Sequence, residues 1–408
     1  MKYNKWTLGL AAAGLVSLAS AAQAEEAQKQ MSQVLTAVAS TTLSGYVDTS
    51  AIWKFGTGNA NLPGRQYDGP SKQDGFNLNV VEIQLEKALS EEQWASGYKA
   101  DLWFGPDAAT YRALIGNGGG DPNFAIKQAY IALRVPVGNG IDWKAGVFDS
   151  IIGYESSESY LNPNYSRSYG HGLEPKQHTG VLASYKATDA VSFSAGVANT
   201  YNNIGLDNVN ARPVRGGVAA DESEKTYMAS VSITAPDSWG FLKGSAWYFG
   251  IIDGLAGNSR DTTSAYVGGS LNTPVEGLSV GGAFDYRWDG PNTVTVGQNW
   301  AFAVAGYASF QANEKWKFNF RADYTEGSDG TFYNRDNPGI PGNQGLQNRL
   351  GALTATADYA LWANVISRAE LRWDHSMSGD KPYGEPAGTS VGNRRNAVTA
   401  ALNLIYKF

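Results

Sequence analysis

Arg394 to Phe408 reads RRNAVTAALNLIYKF, and this closing stretch decides how the rest of the chain is read. Counting back from the end, Phe408, Tyr406, Leu404, Leu402, Ala400 and Val398 fall on one side of an extended strand, because successive strand side chains point to opposite faces. Lys407, Asn403, Thr399 and Arg395 fall on the other, with Ile405 as the apolar exception. A strand that is greasy on one face, polar on the other and aromatic at its tip suits a wall between lipid and water.

The same period of two recurs from Thr42 onward. Trp316 to Thr325 is the clearest case: Trp316, Phe318, Phe320, Ala322 and Tyr324 alternate with Lys317, Asn319, Arg321, Asp323 and Thr325. About 16 such segments can be counted, near the roughly 10-residue length of strands that cross a bilayer as a barrel. Their connections alternate in length. Tight links such as Gly138–Gly140 and Glu276–Gly277 are followed by long ones rich in Gly, Asn, Pro and Asp, such as 56–75, 105–124, 150–175 and 203–224. An even count puts both ends on the short-turn side, where the first strand can pair with the last and leave no free sheet edge. The expected fold is an all-β, antiparallel up-and-down transmembrane barrel over residues 42–408. A soluble sandwich would also alternate, but it does not require the aromatic residues found at strand ends here, among them Trp53, Phe104, Trp143, Trp288, Trp373 and Tyr406.

Met1–Ala24 reads as a cleaved secretory signal: Lys2 and Lys5, an apolar run from Leu8, then Ala22-Gln23-Ala24. Residues 25–41 are either a spacer on the periplasmic side or a short helix, since Met31, Val34, Leu35 and Val38 have helical spacing. Removing the leader takes two lysines and moves the net charge from −6 to −8. With no basic stripe, nucleic acid is not an expected partner. The chain has no cysteine and three histidines, so neither a disulfide framework nor a zinc site is expected, and no cofactor is called for.

Function belongs to the inward face. The candidate pore-lining and constriction residues are Asp48, Glu82, Glu86, Lys99, Arg134, Arg287, Arg321, Arg368, Arg372 and Arg395 on the strands, with Glu155, Glu158 and Arg167 on the loop 150–175. Arg321, Arg368, Arg372 and Arg395 either form a positive arc opposite the acidic first strands, or pair with Asp323, Asp358, Glu370 and Asp374 and stiffen the wall. The loop 150–175 either folds inward as a constriction or lies exposed on the surface. Gly277-Leu278-Ser279-Val280-Gly281 matches a hydrolase pattern, but a nucleophile elbow needs a strand-to-helix turn and these residues open a strand. His171, His178 and His375 fix no triad by spacing. The acidic segment 326–336 is a calcium candidate that does not fit an EF-hand loop.

The leader, Ser44-Gly45-Tyr46-Val47-Asp48 opening the first strand, the alternating strands and the terminal Ile405-Tyr406-Lys407-Phe408 together resemble the OmpL-like β-barrel porins of the bacterial outer membrane. The resemblance implies passive diffusion of small polar solutes through a water-filled channel, outer-membrane lipid as surroundings, and recognition of the C-terminal strand by the barrel-assembly machinery. Monomer and homotrimer both remain open, and no catalytic residue is carried over. The competing expectation is an outer-membrane barrel hydrolase or adhesin with a closed lumen.

Overall fold

Residues 396–407 form the last strand, and its free edge is taken by the first. The computed structural model describes residues 40–56, 74–111, 123–199, 201, 225–255, 261–290, 299–329, 331–333, 348–385 and 392–408. The leader, nearly all of segment 25–41, and all or part of the loops 56–75, 105–124, 203–224, 326–346 and 376–393 lie outside the described residues.

Sixteen strands run in chain order: β1 Thr42–Phe55, β2 Gly75–Lys87, β3 Ser96–Phe104, β4 Phe124–Val135, β5 Ile141–Asp149, β6 Gln177–Lys186, β7 Val191–Ala198 and β8 Thr226–Thr234. The second half comprises β9 Ala246–Leu255, β10 Asp261–Asn272, β11 Leu278–Asp289, β12 Asn299–Gln311, β13 Trp316–Gly327, β14 Asn348–Ala360, β15 Val365–Ser376 and β16 Asn396–Lys407. Each pairs with its sequence neighbours, and β1 pairs antiparallel with β16 to close the barrel. The seam runs from Tyr46 opposite Lys407 to Phe55 opposite Val398. It is finished by two backbone bonds in which Gly45 N donates to Phe408 O at 3.1 Å and Phe408 N donates to Gly45 O at 3.0 Å.

The two faces of the wall separate by polarity as the period of two requires. Along β15, Arg368, Glu370, Arg372 and Asp374 are buried inside, while Leu371 is 52% exposed outside. On β16, Thr399, Ala401, Asn403 and Ile405 point inward and Leu402, Leu404 and Tyr406 outward. Phe193, Ile251, Val267, Phe284, Val304, Phe320 and Leu353 continue the exposed apolar surface around the barrel. Water would not tolerate a belt of this extent, whereas hydrocarbon solvates it. Exposed Trp94, Trp143, Trp239, Trp316, Trp362 and Phe408 ring the short-turn rim.

Two details depart from strict alternation. The segment before β9 is not extended from Phe241: residues Asp237–Leu242 form a 3₁₀ turn, with Gly240 at φ 60°, and the strand starts at Ala246. A register shift where Asp101 and Leu102 of β3 face β4 marks a β-bulge, which turns both Lys127 and Gln128 into the buried interior.

Candidate functional site

The loop 150–176 lies within the barrel, with only Leu161 and Gly172 exposed between residues 151 and 176. It contains a 3₁₀ turn, Ser159–Leu161, and one short helical turn, Tyr169–Leu173, whose first turn is capped by the Ser168 hydroxyl accepting from His171 N at 3.2 Å. A loop removed from water must find partners for its backbone groups, and here side chains of the wall provide them.

Arginines take the loop carbonyls. Arg321 donates to Ser166 O at 2.8 Å and Arg167 O at 3.1 Å, Arg368 to Ser159 O at 3.2 Å and Asn162 O at 2.9 Å, and Arg372 to Arg167 O at 2.5 Å. Carboxylates take the loop amides. Glu370 accepts from Tyr165 N at 2.6 Å and Ser166 N at 2.9 Å, and Asp323 accepts from Tyr169 N at 3.1 Å. The same groups neutralise one another: Arg321 with Asp323 and Glu155, Arg368 with Asp358, and Arg372 with Asp374. Tyr169 adds its hydroxyl to Asp374 at 2.8 Å, and Tyr165 donates to Ser50 on β1 at 3.1 Å.

The opposite side of the loop is held by fit. Ile152 and Tyr154 enter an apolar cluster with Leu182, Met228, Ile252, Tyr266 and Tyr307 on the inner wall, and the Tyr154 and Tyr307 rings stack at 4.1 Å. Small residues make the room. A Cβ at Gly250 would lie 2.4 Å from Ile152 Cγ2, and one at Gly281 would lie 2.1 Å from the Tyr154 hydroxyl.

Electrostatics within the loop follow from this burial. Desolvation opposes ionisation of Glu155, but Arg321, Arg167 and the Ser168 hydrogen bonds overcome it and hold the carboxyl below the usual range. Glu158 is lowered in the same way, burial being outweighed chiefly by Lys127 and the Ser156 hydroxyl. His171 is pushed well below the ordinary imidazole value by burial, then by Lys176 and Arg167.

The expected site residues sort into three groups. Arg321, Arg368 and Arg372 come together on the loop with Glu155, while Arg167 ties the loop to itself through Ser156 O, Ser157 O and Tyr165 O. Of the two arrangements open for the arginines, the paired one is found, except that Glu370 holds loop amides instead of an arginine. Asp48, Glu82 and Glu158 lie buried on the β1–β4 side: Asp48 accepts from Asn79 and Asn403, Glu82 from Trp103, and Glu158 pairs with Lys127. Glu86 and Lys99 are half-buried partners across β2 and β3, Arg134 pairs with Asp142 near the short turns, and Arg287 pairs with Asp289. Arg395 does not join the inner face. It precedes β16, is exposed, and donates to Gly379 O at 3.3 Å. Lys127 escaped sequence reading because Lys127 and Arg134 are an odd number of residues apart, which in a regular strand puts them on opposite faces; the bulge brings both inside.

Space remains on both sides of the loop. Toward the short turns lies a cavity of about 650 Å³ lined by Tyr154, Tyr160, Tyr248, Tyr266, Lys317 and Arg368 among others. Toward the long loops lies one of about 240 Å³ that includes Arg287, Asp289, Trp300 and Phe332. Ser279 lines the larger cavity from within β11, so the hydrolase-like stretch forms no nucleophile elbow.

A closed sixteen-strand barrel carrying a polar loop across its interior has known relatives. Residues 40–408 match the family described as "Putative beta-barrel porin-2, OmpL-like". The chain belongs to this OmpL-like porin family. Solved structures with the same fold include the outer membrane channel DcaP of Acinetobacter baumannii (TM-score 0.59, 12% identity, covering 90% of this chain and 97% of that one). The anion-selective porin from Comamonas acidovorans superposes with a TM-score of 0.56 at 11% identity, covering 90% and 99%. OmpT of Vibrio cholerae, described in a trimer form, does so at 0.53 and 10%, covering 90% and 99%. No curated protein sequence matches the chain. This porin is therefore an outer-membrane channel protein.

Proposed function

We propose that this porin is a narrow passive channel for small polar solutes, with loop 150–176 setting its aperture. The observation that carries the reading is the loop's attachment: arginines of β13 and β15 hold its carbonyls while Glu370 and Asp323 hold its amides. A loop fixed at both polarities is a permanent feature of the lumen. The cavities on its two faces support a path past it, and Lys317, Asp358 and Arg368 in one with Arg287 and Asp289 in the other give that path both signs of charge. Such a mixture favours polar solutes over strong ion selection.

Planar-bilayer recording tests this. Folded protein should give small, uniform conductance steps, and shortening the loop between residues 156 and 166 should enlarge them. A folded, heat-modifiable preparation that gives no steps would rule out the channel. Three further readings belong to this proposal. Met1–Ala24 is removed on export, which intact mass would show as a chain starting at Glu25. Residues 25–41 remain in the periplasm. A homotrimer is the assembly proposed, and crosslinking in native membranes decides between it and a monomer.

A further inference from the structure

We propose that Glu82, Asp101 and Glu158 form a binding site for one hard divalent cation, calcium before magnesium, which fastens loop 150–176 to the wall of β2 and β3. One carboxylate oxygen from each residue lies within 4.8 Å of the others. Two oxygens bound to one calcium ion at 2.3–2.6 Å can be no more than about 5 Å apart, so the spacing fits a shared ion.

A second observation points to a ligand. Asp101 is 1% exposed, yet neither of its carboxylate oxygens has a hydrogen-bond partner. Buried carboxylates are otherwise paired or bonded, because leaving one unsatisfied costs its full desolvation. Glu82 and Glu158 are held in place by other groups: Trp103 Nε1 donates to Glu82 Oε2 at 2.7 Å, and the Ser156 hydroxyl bonds Glu158. Charge agrees. Fully ionised, as a bound cation would keep them, Asp149 and the three carboxylates exceed the ammonium groups facing them, Lys127 and Lys99, by two negative charges. One divalent cation balances that excess. An all-oxygen, carboxylate-rich set of irregular geometry suits calcium, since magnesium demands a near-ideal octahedron.

The test uses the folded full-length protein in detergent, stripped with EDTA and titrated with terbium, whose emission Trp103 is placed to sensitise. Emission should saturate at one ion per chain, be displaced by calcium, and weaken by about tenfold or more in Asp101→Asn and in Glu158→Gln. Asp237→Asn, at an exposed turn, should leave it unchanged. No saturable emission in the unaltered protein, or the same titration in Asp101→Asn, overturns the proposal; a proton shared among the carboxylates would give the first of these. A second measurement needs no variant. The melting temperature of the unaltered protein should rise by several degrees in calcium relative to EDTA, and coincident curves overturn the site.

Discussion

Arg321 is fully engaged: its guanidinium reaches Asp323, Glu155, Ser166, Arg167 O and Thr354. Arg321→Met would leave Glu155 and Asp323 buried without their counter-charge. Removing one member of a buried pair costs about 3–5 kcal/mol, so the variant should unfold earlier in denaturant and conduct in larger, noisier steps. Arg321→Lys keeps the charge but loses the fork and should recover only part of the loss. Acid acts on the same contacts. Glu155, held below the ordinary range, contributes stability that is present above that range and lost as pH falls through its lowered value. His171 acts in the same direction, because once pH drops below about 6.5 the unfolded chain takes a proton that the buried ring resists. Burial raises the Glu174 carboxyl and works the other way, so the contributions of Glu155 and His171 are read by comparison: on acidification below pH about 6.5, thermal melts of the unaltered protein should lose more stability than those of His171→Asn, and through the carboxylate range more than those of Glu155→Gln. Variants whose melts fall with acid as steeply as those of the unaltered protein would contradict this. The inward placement of Arg321, Arg368 and Arg372 was legible from alternation alone. Their carboxylate partners were legible as one of two alternatives, but their loop partners were not, since the backbone carbonyls they bind lie some 150 to 210 residues away and carry no side-chain signal.

At the scale of elements, strand number, order and the seam were all legible, because hydrophobic period and turn length act locally and agree with each other. Alternation followed back to Phe241 would start β9 five residues early, for a local reason. Trp239 and Phe241 occupy the exposed rim, and their apolar spacing imitates a strand while Gly240 bends the backbone away from one. The outward face of β16 gives a direct test. Leu402→Lys places a charge on the lipid side and should cost about 2–4 kcal/mol if it sits near the bilayer midplane, whereas the buried Thr399 faces the polar interior and should accept serine with little loss. The loop's seat gives another. Gly250→Val drives a side chain into Ile152 and should cost about 1–3 kcal/mol while changing conductance, although residue 250 lies on a strand far from the charged contacts. Equal melting and conductance in this variant would mean that Ile152 does not anchor the loop.

For the molecule as a whole, the barrel and the loop inside it have separable stabilities. The wall closes through backbone ladders that include the β1–β16 seam, and none of these uses the loop. A chain shortened between residues 156 and 166 should remain heat-modifiable and keep its strand signature in circular dichroism while its conductance rises. Loss of the barrel in that variant would make the loop a structural core. The sequence could show that the lumen is polar but not that a loop fills much of it, because inwardness is decided by matching two distant surfaces and not by any one segment's composition.

The loop's fastenings also impose an order in time. Its bonds to Asp323, Glu370 and Asp374 span 154, 205 and 205 residues, so the loop is synthesised long before the strands that receive it. Until β13 to β15 are in place, the amides and carbonyls that those strands receive have only water to bind. The loop should thus stay open to a protease until those strands are in place, and the moment at which it stops being cut records their arrival.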